Sequence, residues 1–197
     1  MGLIVKLTKK LVKRMQEILG KNLCIKKCSM ILISLMQISW SNMTDGEAAL
    51  ANFTKKFNQE ISKEYGLYLF GSGAAFPVKI EEIILSFQSD YCQDVVGARK
   101  LAVEITHKMI DRMNQDKNLL KYLSNNPASI KNVNLTISFK EQNSATSSTP
   151  LQSVMVIGTR NKVVYNTENE DRSMLDTFLR ETFDEAERIL QQESSPS

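Results

Sequence analysis

Between Val95 and Met113 apolar side chains recur at three- and four-residue spacing, and on both flanks of that stretch the spacing drops to two. Val95, Ala98, Leu101, Ala102, Ile105, Met109, Ile110 and Met113 fall on one side of a long helix. Before it, Ile83, Leu85 and Phe87 share one face of a strand over Glu82–Gln88. After it, Leu135, Ile137 and Phe139 alternate with Thr136, Ser138 and Lys140. A chain that must bury a helical stripe against strand faces has few solutions, all of them layered sheet-and-helix domains.

The rest of the body fills in that layer pattern. Asp45 caps a helix through Ala48, Leu50, Phe53, Phe57 and Ile61, and Gly66 stops it. Leu67–Phe70 reads as a strand ending in a Gly71-Ser72-Gly73 turn. Leu119, Leu120 and Leu123 make a short further turn of helix before Asn125-Asn126-Pro127 breaks the chain. Asn143–Thr149 is an exposed Ser/Thr/Asn loop. Val154–Ile157 is apolar on both faces, hence an interior strand, and a turn at Arg160-Asn161-Lys162 leads to a strand over Val163–Asn166. Leu175, Phe178, Leu179, Phe183, Ala186, Ile189 and Leu190 read as the stripe of a final helix.

The expected order is α-β-β-α-β-β-β-α, an α+β fold with a mainly antiparallel sheet of about five strands packed against helices, preceded by a helical leader. The chain then has three segments: 1–44, basic and signal-like; 45–193, one α+β domain; 194–197, a flexible tail. The predicted core is Ile83, Leu85, Phe87, Leu101, Ile105, Ile137, Phe139, Val156, Phe178 and Phe183.

The charge is unevenly placed. Of 25 basic and 22 acidic residues, eight basic (Lys6, Lys9, Lys10, Lys13, Arg14, Lys21, Lys26, Lys27) and one acidic (Glu17) lie in residues 1–28, which leaves 17 basic and 21 acidic beyond. A body of net charge −4 lacks the positive field that phosphate backbones require, so nucleic acid is not an expected partner.

Leu3, Leu7, Leu11, Met15 and Ile18 form a basic amphipathic helix pattern, followed by Lys26-Lys27 and the apolar run Met30–Ile38. The run has about half of the roughly 20 apolar residues a membrane span needs. Basic residues, a short apolar run and then small residues at Ser39-Trp40-Ser41 are the layout of a secretory signal, cut near Ser41. Counted from Met15, the leader has the ordinary length of roughly 27 residues. The competing reading keeps residues 3–38 as two helices, one packed on the body or lying on a membrane surface. Membrane contact is expected through this segment only.

The chemistry of the body is sparse, and no catalytic, cofactor-binding or metal-binding residue is nominated. His107 is alone on the long helix, with Glu104 and Asp111 beside it, and reads as a surface histidine stabilised by those charges. Gly71-Ser72-Gly73 lacks the third glycine and following helix of a dinucleotide site, and the Lys-Ser/Thr pair of a phosphate loop, so it reads as a hairpin connection. Cys24 and Cys28 lie in the leader, leaving Cys92 a partly buried free thiol. Glu168-Glu170-Asp171 and Asp184-Glu185-Glu187 lack the oxygen-ligand spacing of a calcium loop and read as helix-start acids and a solvated face.

Tyr65-Gly66-Leu67-Tyr68-Leu69-Phe70-Gly71-Ser72-Gly73-Ala74, continued by Ile83–Phe87 and Ala98–Leu101, resembles a family of small uncharacterised exported proteins of intracellular bacteria. Asn126-Pro127, Lys131-Asn132, Ile137–Phe139 and Glu185–Ile189 are similar to the same family, so that the likeness spans residues 46–190. The sequence departs from it at Ala74-Ala75 and in the Ser/Thr-rich loop. The resemblance implies export and carries no catalytic residue. The expected function is a non-enzymatic envelope or host-facing interaction protein, in the periplasm, in the envelope or secreted, with a protein as partner. The alternatives are a small envelope hydrolase or transferase, or a peripheral membrane protein held by its basic N-terminal helix.

Overall fold

The computed structural model describes residues 44–76, 78–140, 151–168 and 175–194. The chain divides at Thr44/Asp45, and the sheet and its helices belong to the unit that begins at Asp45. Residues 1–43 of the leader, the whole Asn143–Thr149 loop and residues 195–197 of the tail lie outside the described residues.

The elements are α1 (Asp45–Tyr65), β1 (Tyr68–Ala75), β2 (Glu82–Ser89), α2 (Val95–Gln115), α3 (Lys117–Leu120), β3 (Val133–Phe139), β4 (Leu151–Ile157), β5 (Lys162–Glu168), β6 (Leu175–Thr182) and α4 (Phe183–Ser194). Single 3-10 turns at Ile130–Asn132 and Gly158–Arg160 precede β3 and β5. The six strands lie in sequence order, β1-β2-β3-β4-β5-β6. Every neighbouring pair is antiparallel except β2 and β3, which run parallel because α2 carries the chain back across the sheet between them. This is the α+β class that the segment order predicts, with one strand more.

All three long helices bury their stripes on one face of that sheet. Phe53, Phe57 and Ile61 of α1, Ala102, Ile105, Met109 and Met113 of α2, and Phe183 and Ala186 of α4 join Ile83, Leu85, Phe87, Leu135, Ile137, Val154, Val156 and Val163 in one core. Phe57 stacks on Phe53 at 5.6 Å between ring centroids and meets Phe87 edge-on at 6.5 Å. Truncating such a ring to alanine costs about 3–5 kcal/mol, because the sheet cannot close over the void.

The helix starts are written locally. Asp94 accepts from the Gly97 amide at 2.7 Å to begin α2. Thr182 and Glu185 form a reciprocal capping box at α4, with Thr182 N–H donating to Glu185 at 2.8 Å and Glu185 N–H to the Thr182 hydroxyl at 3.2 Å. Gly66, at φ 66°, ends α1 as expected.

The crossover after α3 is held by two side-chain amides, Asn132 and the half-buried Asn114. Asn132, fully buried, accepts from Ser129 N–H at 3.1 Å and donates to the Glu81 carbonyl at 2.9 Å, tying the approach to β3 to that of β2. Asn114 pairs with both backbone groups of Ala128, just past the cis peptide Asn126–Pro127. Nearby, the two 3-10 turns touch: a Cβ on Gly158 would lie 1.8 Å from the Ile130 carbonyl oxygen, so only glycine fits.

Three expectations are corrected. Leu175–Thr182 is a strand and the last helix starts only at Phe183. A register shift at Phe178 breaks the two-residue alternation of β6 and puts Leu175, Phe178 and Leu179 at spacings that mimic a helix. Phe178 therefore leaves the predicted core and is 56% exposed, while Leu101 is only half-buried and the other eight are buried. Gly71-Ser72-Gly73 is no turn either, since β1 runs straight through it to Ala75.

Candidate functional site

The sites singled out in the sequence do not converge. His107 is 53% exposed in its side chain, and its carboxylate partner is Glu187 of α4, not Glu104 or Asp111 of its own helix. Its ring leans on Phe183 at 5.6 Å, and His107 and Glu187 border an open groove of about 710 Å³ between α2 and α4. The helix packing that sets this contact joins residues 80 apart, which no spacing rule reaches. Glu104 instead pairs with Lys100 at 3.9 Å. Cys92 is half-buried and donates its thiol to the Lys140 carbonyl at 3.0 Å.

The acids beginning α4 go to separate partners: Asp184 accepts from Asn161 at 3.1 Å, Glu185 caps the helix and Glu187 meets His107. The Thr182 amide and hydroxyl hold the Glu185 carboxyl below the usual range. Glu168 belongs to β5, and Glu170 and Asp171 lie outside the described residues. Among the described residues no group of three His, Cys, Asp or Glu could hold a metal ion, and no helix is long and apolar enough to cross a membrane.

One charged cluster escapes sequence reasoning. Arg99 of α2 reaches Glu181 of β6 through two hydrogen bonds, Nε to Oε1 at 2.9 Å and Nη2 to Oε2 at 3.1 Å, with both side chains only 8% exposed. The hydroxyl of Tyr165, a fully buried residue of β5, donates to the same carboxylate at 2.5 Å, and the guanidinium lies 5.9 Å from the Tyr165 ring centroid. Burial, then the hydrogen bond to Glu181, pushes the Tyr165 phenol far above its usual value, and the bond to Glu181 raises Arg99 further. Arg99 and Tyr165 both donate to the one Glu181 carboxylate, so the cluster anchors α2 to β6. Its one sequence signal is Arg99 itself, which sits between Val95 and Ala102 on the buried stripe of α2.

A second ionic set clips α1 to α2. Arg112 and Lys108 both reach Glu60, Lys108 also meets Glu64, and the Lys108 ammonium lies 5.8 Å from the Tyr65 ring centroid. The Arg112 hydrogen bonds hold the Glu60 carboxyl below the usual range.

Among the described residues, no helix covers the second face of the sheet or the outer edges of β1 and β6. One row of that face, Gln88, Ser138, Ser153, Asn166 and Thr177, is polar and partly self-paired, with Asn166 donating to Ser153 at 3.1 Å, while the neighbouring rows carry half-buried Ile84, Met155, Ile157 and Val164. The β1 edge is different. Tyr68–Ala75 has no charged residue, and Phe70, the extra residue at the β1–β2 register shift, is 61% exposed. Tyr68 is exposed opposite Gln88, and Tyr91, 68% exposed, follows just beyond β2. Asp90 between them is held below the usual carboxylate range by Lys140 and, less strongly, by the Tyr68 hydroxyl. Beside Ser72 and Gly73, α1 and the edge enclose a groove of about 360 Å³.

No family model, curated protein or solved structure matches the chain.

Proposed function

We propose that the protein is a non-enzymatic interaction module, exported to the envelope or to a host-facing surface by a leader cut near Ser41, and that it belongs with the small exported proteins it resembles. The observation that carries the reading is the β1 edge. Natural sheets blunt their edges with lysine, proline or inward charge, because unpaired strand N–H and C=O groups recruit other chains. β1 has a bulge but no charge, and it adds exposed aromatics, the residue type enriched in protein contacts. The partner is a protein, in keeping with the acidic balance of the body.

A photo-crosslinking residue in place of Phe70, and separately in place of Phe178, tests this in the full chain made in its own cell. The expected result is recovery from the exported fraction, with a mature N-terminus near Ser41, and an adduct from position 70 but not from 178. Retention in the cytoplasm, or no adduct from position 70, overturns the reading.

A further inference from the structure

The order of residue sizes along β1 narrows the partner further. Opposite β2, Leu69, Ser72 and Ala74 pair with Phe87, Leu85 and Ile83 on the helix-covered face, whereas Tyr68, Gly71, Gly73 and Ala75 pair with Gln88, Ser86, Ile84 and Glu82 on the open one. If the bulged residues Phe70 and Gly71 count as one position, β1 has alternating positions with Ser72 at the centre. Turned about a two-fold axis through Ser72, the strand lies antiparallel on itself with every position on its own face. Tyr68 then meets Ala75, Leu69 meets Ala74, and Phe70 with Gly71 meets Gly73. The bulky half of one strand covers the small half of the other, and an aromatic over a cross-strand glycine is a favourable edge pairing.

The helix alongside follows the same symmetry. Glu47, Ala51 and Lys55 are four residues apart on α1 and line the groove beside Ser72 and Gly73. An antiparallel copy centred near Ala51 lays this stripe along its own copy, with the small Ala51 side chains nearest the axis. Resting on the reading of the β1 edge as a contact surface, we propose that its occupant is a second copy of this chain, paired β1 to β1 about Ser72 into one continuous sheet. Isologous two-fold pairs are the commonest oligomers, and an uncharged strand can pair with itself without like charges meeting at the axis.

The test uses the full chain in solution. In a background with Cys24, Cys28 and Cys92 replaced by serine, Ser72→Cys should oxidise to a covalent dimer that a reductant reverses, while Thr177→Cys on β6 should not. By light scattering the unmodified protein should show twice the 22.3 kDa chain mass at high micromolar concentration. Phe70→Lys should halve that mass without changing the circular dichroism spectrum. If Phe70→Lys misfolds, the Ser72→Cys trap decides alone. A single-chain mass for the unmodified protein, or a Ser72→Cys chain that never cross-links, overturns self-pairing. An adduct from position 70 with a different protein would overturn self-pairing and leave the contact-surface reading standing, whereas no adduct at all would remove both.

Discussion

The sheet ends in two edges built on opposite terms. β6 carries Asp176, Arg180 and Glu181, passes directly into a capped helix, and sends Glu181 inward to a bidentate arginine. β1 carries no charge, two glycines and two alanines, and leaves Tyr68 and Phe70 in solvent. Both have one irregular register step that puts an exposed phenylalanine on the surface, Phe178 on one and Phe70 on the other. An exposed aromatic alone therefore does not separate a closed edge from an open one. Charge within the strand itself and the Glu181–Arg99 tie to the helix layer do.

The largest expected effect breaks the closed edge. Glu181→Ala strands the Arg99 guanidinium beside Tyr165, and removing one partner of a buried pair costs about 3–5 kcal/mol. Urea unfolding should show a midpoint lowered accordingly, with an unchanged slope; a loss comparable to a surface substitution would mean that the pair is solvated. Tyr165→Phe is milder, about 1–3 kcal/mol, since it removes one donor to the carboxylate.

That variant also carries a pH signature. The folded-state pKa of Tyr165 is raised above the unfolded value of about 10, so its stabilisation is complete below that pH and is lost as pH rises through the folded value. Thermal melts of the unmodified protein should lose Tm above about pH 10 more steeply than those of Tyr165→Phe; parallel curves would refute the assignment.

Smaller again is Glu60→Gln at the partly exposed α1–α2 clip, expected to cost less than about 1 kcal/mol and to matter less in high salt. Its pKa is depressed, so this contribution is present above the ordinary glutamate range and fades as acid protonates the folded form. The smallest effect belongs to the open edge. Phe70→Ala should change single-chain stability by no more than about 0.5 kcal/mol, measured by denaturant titration at a concentration too low for association. A larger loss would show that Phe70 supports the fold.

The same contrast explains what is legible in the sequence. β2, β3 and α2 can be read because each alternates or repeats without interruption against a single core, and eight of the ten predicted core residues are buried. β6 reads as helix because its bulge turns a period of two into an apparent period near four, and the β1 glycines read as a turn because a strand of small, uncharged residues has the composition of one. The Arg99–Glu181 pair joins residues 82 apart and leaves only one local trace, an arginine on an apolar stripe. The polar contacts that distinguish the two edges depend on which strands come to lie at the ends, and that order is a property of the whole sheet.

The single parallel join between β2 and β3 has a kinetic consequence. β3 to β6 form a run of antiparallel neighbours, with β4 and β5 linked by only Gly158–Asn161, whereas the β2–β3 ladder sets Ile83 against Val133 across the whole α2 crossover. Because closing a long loop must precede the contacts that reward it, we predict that the meander gains protection first and the β1–β2 hairpin docks onto it last. Pulse-labelled hydrogen exchange would then mark Val154 and Val163 amides before those of Leu85 and Phe87, and the reverse order would refute it. Until that docking, a refolding chain shows a second bare strand edge, at β3. Crowded refolding should therefore lose material at the half-formed sheet, before the native edge has been built.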